Sequence, residues 1–310
     1  MAIIATESTY ALVQGLTGRE ARFRALRMIE YGTTILAGVT PGKGGQEVHG
    51  IPVYDTVEEA LEAHPEINAS VVMVGAAFAL DAVLESIDAG IENIVALAEG
   101  VPVHDAMVIR EMSHRKEVRV IGPNCPGVIS PGICELGATA HCAFHGPGKV
   151  GVVSVTGSGQ WYISRLISLS GLGISTYVGI GGDPVKATSI PEAMGLFEKD
   201  PDTEAMMLVS EIGGTAEIEL AQMIKDGRIT KPIVAYIYGR TAPEGKRMGH
   251  AGAIVEAGRD DVRTKMEVLR DAGVRVILYP WEVVGAFLDA GIGPKEELHH
   301  IPVREATTGR

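Results

Sequence analysis

Tyr10-Ala11-Leu12-Val13-Gln14 runs directly into Gly15-Leu16-Thr17-Gly18-Arg19-Glu20-Ala21: a short apolar run, a glycine-bearing turn, and the start of a helical pattern. Strand, tight turn and helix in that order open a doubly wound α/β fold, whose helix N-terminus faces phosphate groups. The alternation continues. Residues 35–39, 70–74, 94–97 and 119–121 read as further strands. Between them, Val57, Ala60 and Leu61 recur at helical spacing before His64-Pro65, as do Val83, Leu84 and Ile87 before Ala89-Gly90. Strict alternation predicts a mostly parallel sheet covered on both faces.

Residues 132–148 are rich in Gly, Ala and Pro and lack periodicity, which marks a linker. Alternation then restarts, with strands at 149–154, 174–180, 205–210, 233–238 and 274–278 and helices beginning near Gly159, Ile190, Thr215, Asp261 and Trp281. The expected organisation is two doubly wound parallel-sheet α/β domains, 1–145 and 146–290, followed by a polar tail at 291–310. His299-His300 in that tail reads as a solvated pair.

A chain of 310 residues is long enough for two cores. Its formal net charge of −12, without any Lys/Arg block, argues against a nucleic-acid or anionic-membrane surface, so an anionic substrate needs local basic residues. Cys125, Cys134 and Cys142 are odd in number and lack Cys-x-x-Cys spacing, which favours reduced thiols over a metal or disulfide framework. No segment reads as a secretory leader or a bilayer span, so the expected setting is the cytoplasm, or a mitochondrial matrix if a targeting segment has been removed.

The first-domain motifs favour phosphate over a dinucleotide. Gly15-x-x-Gly18 followed by Ala21 departs from Gly-x-Gly-x-x-Gly, and the next strand ends in Gly38-Val39-Thr40 with no acidic residue to hold a ribose. Thr40-Pro41-Gly42-Lys43-Gly44-Gly45 then sets a lysine between glycine pairs at the carboxyl edge of the sheet, a position suited to a phosphate-bearing nucleotide tail. The plain alternative is a glycine turn with a solvated lysine. Gly122-Pro123-Asn124-Cys125-Pro126-Gly127 fixes a loop at the same edge, where Asn124 offers an amide and Cys125 reads as lining rather than as a nucleophile.

In the second domain, Ser154-Val155-Thr156-Gly157-Ser158 opens a helix with hydroxyls and glycine. That pattern suits phosphate binding at Ser154, Thr156, Gly157 and Ser158, although ordinary N-capping has the same appearance. Gly245-Lys246-Arg247-Met248-Gly249-His250-Ala251-Gly252 clears small residues around one histidine behind two cations, as a phosphoryl-accepting imidazole requires. The alternative is a hydrogen-bonded loop histidine beside a glycine hinge. Glu211, before Ile212-Gly213-Gly214 at a strand end, can orient that imidazole or compensate a helix terminus.

Together with Gly179-Ile180-Gly181-Gly182-Asp183-Pro184, these motifs resemble, in order along residues 14–288, the α subunit of succinyl-CoA synthetase and its relatives. Those relatives are malate–CoA ligase, citryl-CoA synthetase and the matching part of ATP-citrate lyase. The resemblance implies an N-terminal Rossmann-like CoA-binding domain and a C-terminal flavodoxin-like ligase domain. It places His250 at the phosphorylated histidine, Glu211 at its carboxylate partner, and Thr17, Gly18, Arg19, Lys43, Asn124, Cys125 and Pro126 where the family contacts CoA. It further implies ATP or GTP with Mg2+ on a separate ATP-grasp β subunit, a small carboxylate substrate, an αβ or α2β2 assembly, and no metal site in this chain. A non-catalytic CoA-binding regulator is the competing class.

Four regions depart from the family pattern. Val155 stands where the family carries arginine, a loss of about 1.5–3 kcal/mol of charge-assisted bonding that bears on which carboxylate is taken. Gly159-Gln160-Trp161-Tyr162, the loop residues 19–22 with 75–77, and the segment from Tyr279-Pro280-Trp281 onward also differ.

Overall fold

The computed structural model describes residues 2–243, 248–254 and 261–294. Its first sheet is built from β1 (Tyr10–Gln14), β2 (Thr34–Val39), β3 (Glu47–Val48), β4 (Ile51–Tyr54), β5 (Ala69–Val72), β6 (Asn93–Ala96) and β7 (Arg119–Ile121). Their spatial order is β3-β4-β2-β1-β5-β6-β7, and every pairing is parallel except the β3–β4 hairpin. Helices α1 (Arg19–Tyr31), α2 (Val57–Ala63), α3 (Ala76–Asp88) and α4 (Val103–Arg115) make the crossovers. Burial explains the composition of the central strands. Leu12 and Val13 point to opposite faces, yet both are fully buried, as are Ser70, Val71 and Val72 on β5.

The turn out of β1 depends on Gly15. Its φ is +79°, and a Cβ there would lie 2.7 Å from the Met73 carbonyl oxygen, so a side chain would meet both strain and backbone. The chain therefore leaves β1 sharply and enters α1 from Gly18, with Gly32 closing the helix in the left-handed conformation.

The second sheet comprises β8 (Gly127–Ser130), β9 (Cys134–Gly137), β10 (Pro147–Ser154), β11 (Ile174–Gly179), β12 (Ala205–Ser210), β13 (Ile233–Ile237) and β14 (Arg275–Val276). The order is β14-β13-β12-β10-β11-β8-β9, parallel from β14 to β11 and antiparallel at β8 and β9. The five parallel strands keep the flavodoxin-like order. Around them run α5 (Gly159–Leu169), α6 (Ile190–Lys199), α7 (Ala216–Lys225), α8 (Val262–Asp271) and α9 (Val283–Asp289). Helix α6 starts on a full capping box, Ser189 with Glu192, with proline in its first turn.

The sheets separate earlier than the composition of 132–148 suggests. β8 and β9 precede residue 145 in the chain but pair with β11, so the change of sheet falls in the Gly122–Gly127 loop. Their strand character was masked by glycine and proline, and their short antiparallel pairing needs no long periodic run. One continuous apolar cluster joins the two sheets: Val13, Val71 and Val95 belong to it, and so do Val153, Leu208 and Ala235. Among the described residues no helix is long and apolar enough to cross a membrane.

Candidate functional site

β12 ends at Ser210, and the next residue, Glu211, leaves the carboxyl edge of the second sheet. In an open α/β sheet this edge is where ligands meet the chain. The His250 loop folds onto it, with Met248 N–H donating to Ala253 O at 2.9 Å and Ala253 N–H to His250 O at 3.1 Å. His250 Nδ1 lies 2.8 Å and 2.9 Å from the two oxygens of Glu211. The imidazole rests flat against Gly182. A Cβ on that residue would lie 2.4 Å from the His250 ring, so the glycine is what admits the histidine.

The pair is partly open, with His250 and Glu211 side chains 30% and 17% exposed. The Glu211 hydrogen bond raises the His250 pKa above the ordinary imidazole value, burial opposes it, and the charges of Glu211 and Asp183 raise it further while Lys186 lowers it. Because Nδ1 is committed to Glu211, Nε2 is the nitrogen available for chemistry.

Glu211 is itself held from behind. Lys265 on α8 is fully buried and donates to Glu211 O at 3.0 Å and Gly213 O at 2.6 Å, while forming an ion pair with Glu217 at 2.9 Å. Glu217 also accepts from Ser210. A buried ammonium with three oxygen partners is satisfied. It fixes the β12–α7 turn and with it the Glu211 carboxylate.

Sequence reasoning missed Lys265, and the signal was available: Val262, Lys265, Met266 and Leu269 form one buried face of α8, in which a lysine is the exception. Asp183 and Lys186 were also missed as individual residues, although the Gly-Gly-Asp-Pro motif pointed to their loop. Asp183 accepts from Asn124 Nδ2 at 2.8 Å, tying the first-sheet loop to the histidine site. Asn124 holds φ +53°, a conformation that Asn tolerates better than most residues. A cavity of about 250 Å³ lies between Asn124, Asp183, Gly249, Ala251, Glu99 and Gly100.

The other expected contacts divide into two groups. Thr17 N–H approaches Thr40 Oγ1 at 3.5 Å and Lys43 N–H donates to Asp55 at 2.9 Å, so the 15–19 and 40–45 loops adjoin; Gly18, Arg19 and Lys43 are exposed there. Asn124, Cys125 and Pro126 sit instead at the junction with the second sheet. Cys125 is buried, donates to Ala96 O at 3.3 Å, and has its thiol pushed up to about 12 by that burial, which suits packing and not thiolate chemistry. Pro126 packs on Gly157, where a Cβ would lie 3.3 Å from it.

Of the four residues expected to bind phosphate, Ser154 engages its hydroxyl within its own turn. It is fully buried, and its hydroxyl donates to Thr156 O at 2.8 Å and accepts from Thr156 N–H at 3.1 Å, so it closes its own turn. Thr156 Oγ1 accepts from Gly159 N–H at 3.2 Å, which is a capping role. Ser158 is exposed and makes no side-chain cap, and it stands with Gly157 at the N-terminus of α5. Lys246, Arg247 and the His299-His300 pair lie outside the described residues.

Both halves of the chain match known families. Residues 6–100 match the CoA binding domain family and residues 163–275 the CoA-ligase family. The chain is 49% identical over 276 residues to succinate–CoA ligase [ADP-forming] subunit alpha 1 of Archaeoglobus fulgidus, covering 89% of this chain and 94% of that one. It is 46% identical over 285 residues to the corresponding alpha subunit of Aquifex aeolicus, covering 91% and 92%. Among solved structures, ATP citrate lyase of Methanosaeta concilii in complex with (3S)-citryl-CoA superposes with a TM-score of 0.87 at 26% identity, over 97% of this chain and 53% of that one. A dinucleotide-forming acetyl-coenzyme A synthetase of Ca. Korarchaeum cryptofilum shares the fold, with a TM-score of 0.71 at 17% identity. With these likenesses spanning both sheets and the His250 loop between them, the chain belongs to the family of succinate–CoA ligase α subunits, enzymes of the acid–thiol ligase class.

Proposed function

We propose that this chain is the α subunit of an NTP-dependent ligase that joins a small carboxylate, succinate first, to CoA through phosphohistidine at His250. The observation that carries the reading is the two-oxygen hold of Glu211 on His250 Nδ1, which fixes the ring and leaves Nε2 as the nitrogen for attack. In the first step the Nε2 lone pair attacks the terminal phosphorus of the nucleotide and NDP leaves. The carboxylate oxygen then attacks that phosphorus, the P–N bond breaks, and an acyl phosphate forms. Finally the CoA sulfur adds to the acyl carbon and inorganic phosphate departs, which leaves the thioester and free histidine. Division into two transfers is nucleophilic catalysis, with Glu211 stabilising the cationic ring at each attack.

The relatives are alpha subunits, which supports a β partner; the reading gives that partner an ATP-grasp fold with ATP or GTP and Mg2+, in an αβ or α2β2 assembly in the cytoplasm. CoA would lie along the exposed Thr17–Arg19 and Lys43 loops, its thiol end entering beside Asn124. A larger acid such as citrate or malate is the second reading, favoured by the superposition on ATP citrate lyase and by Val155 at the site. The test is mass spectrometry of chain co-expressed with its partner, kept alkaline, for phosphate on the His250 peptide, followed by a panel of carboxylates. Phosphate with turnover on succinate alone supports the first reading, and turnover on citrate or malate alone supports the second. Reproducible absence of phosphate with nucleotide and partner present points to a CoA-binding regulator.

A further inference from the structure

A second cavity, of about 350 Å³, shares Pro184 with the Asn124 cavity. Glu211, Gly182 and Val155 line it together with two cations, Lys186 and Arg110. Neither cation is a surface ornament. Lys186 Nζ donates to Asp183 O at 2.7 Å, and Arg110, reaching across from α4 of the first sheet, donates to Lys186 O at 2.7 Å. The Gly182-Asp183 segment that anchors the ammonium is the one the His250 ring lies upon, and Gly252 N–H of the histidine loop donates to Gly182 O at 3.3 Å. The Lys186 side chain is thus held by the segment that carries the imidazole, in a cavity that Val155 also lines; burial lowers its pKa, and the carboxylates of Glu211, Glu217 and Asp183 oppose that in favour of the ammonium.

A phosphoryl acceptor faces conflicting demands. Glu211 must hold Nδ1, but the same carboxylate favours the imidazolium, in which Nε2 carries a proton and cannot attack. We propose that Lys186 is a positioning residue for His250, whose ammonium opposes the field of Glu211 and so enlarges the fraction of Nε2 that is unprotonated when the phosphoryl donor arrives. The inference rests on the phosphohistidine reading and adds to it a residue that sets its working pH.

The surrounding charges leave Lys186 this role. Lys265 points its ammonium at Glu217 and at backbone oxygens, so its charge is locally balanced. Asp183 is engaged by Asn124. Arg110, Glu217 and Glu219 line the cavity, Glu99 lines the cavity beside Asn124, and Lys186 is bonded to the Asp183 carbonyl, next to the glycine that the ring touches. The directions agree: Lys186 draws the His250 pKa down, against Glu211.

The test uses Lys186→Gln, which keeps a donor for Asp183 O while removing the charge, and Lys186→Arg, which keeps the charge, each in complex with the partner subunit. Initial rates of His250 phosphorylation are followed by rapid quench from pH 6 to pH 9, and the His250 ring is titrated by NMR in the unphosphorylated protein. Lys186→Gln is expected to move the ring titration and the acid limb of the rate profile to higher pH. Its rate at pH 6 should fall about fivefold and at pH 9 stay within about twofold of the parent, since only the unprotonated ring attacks. Lys186→Arg should restore both. A loss that is equal at every pH, or an unmoved ring titration, overturns the inference and leaves Lys186 as a brace for the Asp183 turn. If the parent takes up no phosphate yet its ring titration moves in Lys186→Gln, the charge effect stands and the phosphohistidine reading fails.

Discussion

Among the described residues two histidine–carboxylate pairs lie at least partly buried, His141 with Glu135 and His250 with Glu211, and they are arranged for different ends. Glu135 on β9 is 1% exposed, and its carboxylate accepts from Thr139 N–H and Thr139 Oγ1, each at 2.6 Å, as well as from His141 Nε2. The His141 ring packs against Tyr31 with centroids 4.5 Å apart. The carboxylate's acceptor sites are occupied by its own segment, and the pair staples β9 to the short turn after it. At His250 the same chemical partners are arranged differently: Glu211 spends both oxygens on Nδ1, the ring has glycine beneath it, and both side chains remain part-exposed. A histidine becomes a candidate nucleophile when one nitrogen is held, the ring is shelved on small residues, and the side chain stays part-exposed.

Replacement of His250 by alanine is the strongest way to break the contrast. Phosphate incorporation and ligase turnover should fall by at least about 10³-fold, as when a covalent nucleophile is removed. Peptide mapping of the labelled parent should place phosphate on the His250 peptide and none on the His141 peptide. Label on His141 would remove the distinction between the two pairs.

Glu211→Gln sharpens it. The amide oxygen can still accept from Nδ1–H but carries no charge to stabilise the ring as it turns cationic, so phosphorylation should slow by about 10- to 10³-fold. Since the Glu211 hydrogen bond is the largest influence raising the His250 pKa, the acid limb of the rate profile should move to lower pH even as the plateau falls. A profile with unchanged limb and plateau would strip Glu211 of the orienting role.

Glu135→Ala examines the other pair. It leaves Thr139 N–H, the Thr139 hydroxyl and His141 without their acceptor in a buried place, for an expected loss of about 2–4 kcal/mol in urea unfolding. The phosphorylation site should not change. A loss under about 0.5 kcal/mol would mean that the segment relaxes to find water, and that the staple contributes little to the fold.

How much of this was legible in the sequence follows from the kind of signal each feature leaves. The β1–Gly15–α1 entry and the strands of both parallel blocks other than β4 were readable, because burial on both faces demands unbroken apolar runs, and left-handed turns demand glycine. β3, β4, β8 and β9 were not. Each is two to four residues long, with an antiparallel partner, among glycines and prolines, and its place depends on the strand it meets in space. At the site, His250 and Glu211 stood out by their glycine surroundings. At Ser154 the hydroxyl closes its own turn, and a hydroxyl at a helix entrance has the same sequence signature whether it does that or binds an anion. Lys186 and Arg110 meet only through the packing of α4 against the β11–α6 loop, across 76 residues of sequence, and no local pattern announces that.

The smallest expected effect is thermodynamic, and it separates the protonation state of His250 from its reactivity. The folded-state pKa of His250 is raised by Glu211, so the folded protein holds the ring proton more tightly than the unfolded chain does. Such a group contributes stability that is fully present below the unfolded imidazole pKa of about 6.5 and is lost as pH rises through the higher folded value. The stability difference between dephosphorylated parent and His250→Asn should therefore be larger at pH 5.5 than at pH 9, by no more than a degree or two in Tm, because the pair is part-exposed and solvent screens it. The Glu211→Gln background should abolish that pH dependence. If the difference instead grew with pH, the ring would be held neutral in the folded protein, and the balance between Glu211 and Lys186 would already lie on the side of the lysine.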